Sequence, residues 1–243
     1  MPEPVRIAMW SGPRNISTAL MRSWGNRADT MVVDEPFYGF YLLKTGKHHP
    51  GSTEIISQME TDVYKIFRGL LAPLPEGKSV FYQKQMAHHL LPEIDRSWLA
   101  GVTNCFLIRD PADVIVSYIR KNDDPTMDDL GFARQAELFQ FVRANSGTTP
   151  PVIDARDVLN DPTRILQLLC RAVNVEFDKA MLSWPPGLRH TDGIWAKHWY
   201  AEVMRSTSFQ PYRPSTEAVP ARFRHLCEQS HEYYNELYQH RLH

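Results

Sequence analysis

The sequence predicts an α/β fold: three layers, α/β/α, around a central, mainly parallel sheet. Three observations carry this. Short, nearly continuous apolar runs recur along the chain, as strands buried on both faces require. Segments with apolar residues at helical spacing separate them, the alternation that builds strand–helix–strand units. No linker-like tract divides the 243 residues, so residues 1–243 are expected to form one domain, with a helical C-terminal cap from about 176 to 243.

Val5–Trp10 reads as the first strand, stopped by Ser11-Gly12-Pro13, and Ser17–Gly25 as the helix that follows. "TMVVD", Thr30–Asp34, is a second strand. Glu54–Leu71 carries Ile55, Met59, Val63, Ile66, Phe67 and Leu70 at helical spacing, and Pro73 and Pro75 end it. Ser79–Gln83 and Thr103–Ile108 read as strands three and four. Asp110–Arg120 reads as a helix, with Asp110 as its N-cap and Pro111 in its first turn. Asp128–Asn145 is helical, "PVID" at Pro151–Asp154 is a fifth strand, and Pro162–Asn174 is helical again. Pro185-Pro186-Gly187 then breaks the chain ahead of "DGIWAKHWYAEVM", and a long helical run, Thr216–Leu242, closes it.

Bulk composition removes several function classes. Charged residues make up 23% of the chain and the net charge is −1, so no overall field draws it to nucleic acid or an acidic membrane. Cys105, Cys170 and Cys227 are far apart and odd in number, which reads as reduced thiols in a cytoplasmic protein. The N-terminus "MPEPVR" has no apolar leader core, and no apolar run approaches the length of a bilayer span. The ten histidines show no metal-ligand spacing with the cysteines, so no metal is expected.

Right-handed crossovers gather the loops after strands one to four at one sheet edge. The first, "SGPRNIST", leads straight into a helix. Free N–H groups and the helix dipole make such a start an anion site, to which Ser17 and Thr18 add hydroxyls and Arg14 a planar fork. It is not a Walker A loop. With Gly12 on the first glycine, Ser17, Thr18 and Ala19 fall where the second glycine, the lysine and the magnesium-binding hydroxyl belong. The loop suits a phosphate that arrives without a metal. "FLIRDPADVIVSY" then places Arg109 at a strand end and Ser117 in the next helix, able to meet a second phosphate.

Taken together, "PRNISTAL" and "IRDPADVIVSY" resemble the PAPS-dependent sulfotransferases, whose donor is 3′-phosphoadenosine 5′-phosphosulfate. Pro13, Arg14, Ser17 and Thr18 match the 5′-phosphosulfate loop, which resembles P-[KR]-S-G-[ST]-T. Arg109, Asp110, Pro111, Asp113, Ser117 and Tyr118 match the 3′-phosphate motif, which resembles R-[ND]-P-x-D-x-x-x-S-[YFW]. "PVIDARDVLNDP" is similar to the stretch that follows in that family, so the resemblance runs in order to about Val175. Asn15-Ile16 replaces the usual Ser-Gly, and a β-branched Ile suits a positive φ poorly, so the loop is expected to take another path. "DGIWAKHW" echoes a C-terminal 3′-phosphate segment, which brings Lys197 into the set.

The resemblance implies a sulfotransferase acting on a hydroxyl or amine of a small-molecule acceptor. Arg14, Asn15, Ile16, Ser17, Thr18, Arg109, Ser117 and Lys197 would hold PAPS, with Arg14 also at the leaving oxygen. Glu35 in "VVDEPFYGF" resembles the basic Glu of bacterial carbohydrate sulfotransferases, with Asp34 where they carry glycine. "YQKQMAHHL" is similar to a K-T-H-L-P segment of cytosolic sulfotransferases. There Lys84 aligns with a lysine at the bridging oxygen, and the catalytic His falls on Met86. Glu35 ranks first as base, Lys84 as electrostatic helper and His88 as reserve. A Mg-ATP-dependent kinase and a non-catalytic phosphonucleotide-binding module are the rival readings. The sequence is silent on oligomeric state.

Overall fold

The computed structural model describes residues 3–243; Met1 and Pro2, part of the N-terminus read above for a leader, lie outside the described residues. Five strands, β1 (Val5–Ser11), β2 (Thr30–Asp34), β3 (Val80–Met86), β4 (Thr103–Ile108) and β5 (Val152–Asp154), form one sheet in the order β2-β3-β1-β4-β5. Every pairing is parallel. The strand period of two divides β1 between two cores. Ile7 and Met9 face one side, with Leu20, Met21 and Trp24; Ala8 and Trp10 face the other, with Phe67, Phe106 and Phe139. The three-layer α/β/α reading therefore holds.

Twelve helices surround the sheet: α1 (Ser17–Gly25), α2 (Tyr38–Thr45), α3 (Ser52–Gln58), α4 (Val63–Leu71), α5 (Pro111–Ile119), α6 (Met127–Leu130), α7 (Phe132–Ser146), α8 (Ala155–Asn160), α9 (Pro162–Ala172), α10 (Ala196–Trp199), α11 (Ala201–Arg205) and α12 (Arg224–Tyr238). Helices α1 and α9 cover one face, and α4, α7 and α12 the other.

Three boundaries differ from the sequence reading, each for a local reason. The helix expected over Glu54–Leu71 is two, because Met59 is extended and Asp62 caps α4 through Tyr64 and Lys65. The helix expected over Asp128–Asn145 is also two, because Gly131 takes φ 74° between α6 and α7. The C-terminal run is not a continuous helical cap: α12 packs against α7 beside the sheet, and only the stretch with α10 and α11 reaches over the site.

The C-terminal ends of the strands are tied to α7. Gln135 donates to the carbonyls of Trp10 and Leu107 at 3.0 and 2.9 Å, pinning the ends of β1 and β4. Gly12 lies so close to α6 that a Cβ there would meet the Leu130 carbonyl oxygen at 2.7 Å. Glycine is thus required by close approach, and the loop after β1 has a rigid floor.

Candidate active site

A cavity of about 540 Å³ opens at that edge, lined by the loop after β1, the end of β3, Arg109 after β4, the last turn of α5 and the segment carrying α10 and α11. The loop does take a distinct path, but the left-handed residue is Arg14, at φ 58°, and not Ile16, at φ −84°. Ile16 is the N-cap of α1 and makes no side-chain cap bond. Ile16 O receives Leu20 N at 2.9 Å, so the N–H groups of Ser17, Thr18 and Ala19 precede the first helical bond and face the cavity end. Asn15 turns inward and donates to the Leu107 carbonyl at 3.2 Å, fastening the loop to β4.

Arg14 and the α5 motif meet directly. Arg14 Nε donates to Ser117 Oγ at 2.9 Å, and Arg109 Nη1 donates to the Arg14 carbonyl at 2.8 Å. Among the described residues no carboxylate pairs with Arg14. Burial lowers its guanidinium below the ordinary arginine value; Glu202 opposes this, while Arg109 and Arg120 add to it. A half-buried cation beside another cation and a free helix N-terminus is a site that an anion would stabilise.

Residues of a buried ionic cluster line the same cavity. Asp34 and Lys84 are register partners on β2 and β3. Consecutive strand residues point to opposite faces, yet Glu35 also reaches Lys84 because its φ of 44° turns it back. Lys84 Nζ donates to Asp34 Oδ1 at 2.8 Å, to Glu35 Oε1, and to the Tyr200 hydroxyl at 2.7 Å. All three ammonium protons are spent. Burial alone would lower Lys84, but Asp34 and Glu35 outweigh it and hold the ammonium well above its ordinary value. Burial, assisted by the Asp34 charge and opposed by Lys84, raises the Glu35 carboxyl above its ordinary value.

The family model described as "Sulfotransferase domain" matches residues 5–237. This chain belongs to the sulfotransferase-domain family. It is 33% identical to the Arabidopsis thaliana branched-chain-amino-acid aminotransferase-like protein 1, over 100% of this chain and 43% of that protein. It is 31% identical to protein 2 of the same name, over 98% of this chain and 42% of that protein. The chain therefore spans about two-fifths of the length of these curated relatives. Among solved structures it resembles the sulfotransferase domain of the curacin biosynthetic pathway, with a TM-score of 0.54, 16% identity and coverage of 98% and 99% of the two chains. The sulfotransferase domain of the Synechococcus PCC 7002 olefin synthase gives 0.53, 16% and 94% of each chain. At such identities the likeness is one of fold.

Against that family background three sequence-chosen side chains sit differently than expected. Lys197 is outside the cavity: it is half exposed and its Nζ pairs with Glu54 Oε2 at 2.6 Å, because α10 turns that face to α3. Arg213 lines the cavity instead, as does Arg109. Lys84 keeps no proton for a donor's bridging oxygen, so it organises carboxylates. His88 reaches the cavity wall, but burial pushes it down to about 3, with His49 and Lys47 adding to the shift, so its ring is a weak proton acceptor. Glu35, Ser17, Thr18, Arg109 and Ser117 all line the one cavity.

Sequence reading gives Asp34 no site role, and the contacts that bring Tyr200 and His89 into the site join residues far apart in the chain. His89 stacks on Tyr38 and Tyr41, with ring centroids 4.7 and 4.6 Å apart, and burial drives it well below the ordinary histidine value. No helix of the described residues is long and apolar enough to cross a membrane, and no group of three or more His, Cys, Asp or Glu among them could hold a metal ion.

The left-handed Arg14 gives a test of whether function or folding chose that residue. Arg14→Gly is expected to be about 1 kcal/mol more stable than Arg14→Ala, since both lose the Ser117 bond but only alanine keeps the strain. Urea midpoints of the two variants decide it; alanine equal to or above glycine would mean the loop is unstrained.

Proposed function

We propose that this chain is a sulfotransferase that moves a sulfuryl group from PAPS to a hydroxyl or amine of a small-molecule acceptor. The observation that carries the reading is one cavity whose lining has two chemically distinct parts. One part is an unpaired Arg14 at a free helix N-terminus, braced by Ser117 and Arg109; the other is the buried Glu35 beside Lys84.

The donor fits the residues present. Arg14 and the N–H groups of Ser17, Thr18 and Ala19 would take the 5′ phosphate, and Arg109 and Arg213 the 3′ phosphate. When bound, PAPS supplies an activated sulfuryl group on a phosphate leaving group. Arg14 stabilises charge that develops on that leaving oxygen, and its fixed position means little reorganisation is needed. Glu35 Oε1 is held by Lys84, while Oε2 remains to accept the acceptor's proton. Phe209 and Leu159 offer apolar surface on the donor side, and Tyr38, Trp195 and Trp199 wall the acceptor side. The three free, buried cysteines suit a cytoplasmic setting.

Calorimetric titration with adenosine 3′,5′-bisphosphate, without metal, tests the reading. Binding is expected in the wild type, and Arg109→Ala should weaken it roughly ten- to a hundredfold, the loss of a charged hydrogen-bonding partner. Binding of Mg-ATP in place of the bisphosphate would favour a kinase. Binding of the bisphosphate with no transfer to any acceptor would favour a non-catalytic module.

A further inference from the structure

The two adjacent carboxylates that share Lys84 are not equivalent. Asp34 is almost wholly enclosed and accepts from three donors: Lys84 Nζ at 2.8 Å on Oδ1, and the Tyr200 hydroxyl at 2.7 Å and the Gly193 N–H at 3.0 Å on Oδ2. Tyr200 is itself fixed, since its oxygen also accepts from Trp195 Nε1 at 3.1 Å. Glu35 accepts from Lys84 alone, through Oε1. Its other oxygen has the His89 ring at 3.9 Å, beyond hydrogen-bond length, and Glu35 itself lines the cavity.

We propose that Asp34 is the positioning residue of this site: anchored by Tyr200 and the Gly193 amide, it holds Lys84 and leaves Glu35 free to accept the acceptor's proton. This rests on the reading of Glu35 as the base. The division of labour follows from electrostatics. A buried carboxylate needs donors to keep its charge, and Asp34 has three where Glu35 has one. Two carboxylates within reach of one ammonium carry one negative charge more than they neutralise. The less satisfied of them, Glu35, therefore holds a proton more tightly. The other groups facing Glu35 do not reverse this. His89 is kept neutral by burial, and Tyr38 and Tyr200 are raised by burial and stay neutral phenols. The anchors of Asp34 also come from residues 193–200, so the C-terminal segment that covers the cavity completes the device.

The test is a carboxyl ¹³C NMR titration of the full chain, with the Glu35 signal assigned by its absence in Glu35→Gln. In the wild type Glu35 is expected to titrate above an ordinary glutamate. In Asp34→Asn, with the neighbouring charge gone and Lys84 turned wholly to Glu35, its proton affinity should fall about tenfold or more. Tyr200→Phe keeps the Asp34 charge and should shift Glu35 far less. An ordinary or lowered Glu35 in the wild type overturns the proposal, and needs no variant to fold. So does an unchanged or raised Glu35 in Asp34→Asn, or an equal shift in Tyr200→Phe, which would assign the effect to a loosened cover. The titration reads out whether or not the bisphosphate binds, so failure of the donor reading and failure of this proposal remain distinct.

Discussion

Lys84→Met is expected to destabilise the protein by about 3–5 kcal/mol at neutral pH, because removing one partner from a buried ionic cluster strands the others. Lys84 is 1% exposed, and Asp34 and Glu35 would lose the ammonium that they share. Methionine fills a similar volume, so little of the loss would come from a cavity. The sign of the pH dependence follows. Glu35 is already raised by burial, and without the opposing Lys84 charge it would hold its proton still more tightly folded than unfolded. Such a group favours the fold below its unfolded range near pH 4, and that advantage disappears as pH rises through the folded value. The deficit of Lys84→Met relative to the wild type should therefore shrink on acidification. Urea unfolding at neutral pH and near pH 4 checks it. A variant as stable as the wild type at neutral pH would show that Lys84 is dispensable to the fold, and a deficit that grows in acid would show that stranded carboxylate charge is not its cause. The exposed pair Arg120–Glu217, at 2.8 Å but 60% exposed on each side, sets the contrast: breaking it should cost under about 1 kcal/mol.

This cluster also marks where the sequence stops being legible. The apolar runs of β1, β2 and β4 are written in consecutive residues, and so is the cap at Asp110-Pro111, which the structure places at the start of α5 with Asp110 accepting from Ala112 N. Such features depend on near neighbours in the chain. Position 131 was readable in kind, since a glycine inside a helical pattern is a break signal, but its depth was not. Ile16 suits a positive φ poorly, which points to a different loop path but not to where the left-handed residue falls; it falls on Arg14, and Ile16 takes the N-cap position of α1.

Residues that meet across long separations were the least visible. Nothing local in the sequence links Tyr200 to Asp34, and only the fold brings them together, across 166 positions. Lys197 looked suitable as a cation near a Gly-Trp pair, but helical geometry points it to Glu54, and Arg213 occupies the cavity. For His88 and His89 the pair was visible, but not its burial. The ordering of bases by sequence therefore turned on what surrounds each ring, and enclosure is what makes His88 a weak proton acceptor.

Glu35→Gln should lower the rate of sulfuryl transfer by about 10²- to 10⁴-fold, the usual contribution of a positioned general base. Glutamine keeps the shape and still offers an oxygen to Lys84, which retains Asp34 and Tyr200. The fold and the donor half of the cavity should then be untouched, and affinity for the bisphosphate should stay within about twofold. The wild-type rate should fall in acid at a higher pH than an ordinary glutamate would cause, since burial and the Asp34 charge raise Glu35 and only its ionised form accepts a proton. Transfer of labelled sulfate from PAPS, measured across pH for both proteins beside a calorimetric titration, separates the possibilities. A full rate in Glu35→Gln would move the base elsewhere, with His89, whose ring is 3.9 Å from Glu35, the next group to test. A parallel loss of bisphosphate affinity would instead make Glu35 part of the donor site, and the division of the cavity into an anion half and a base half would fail.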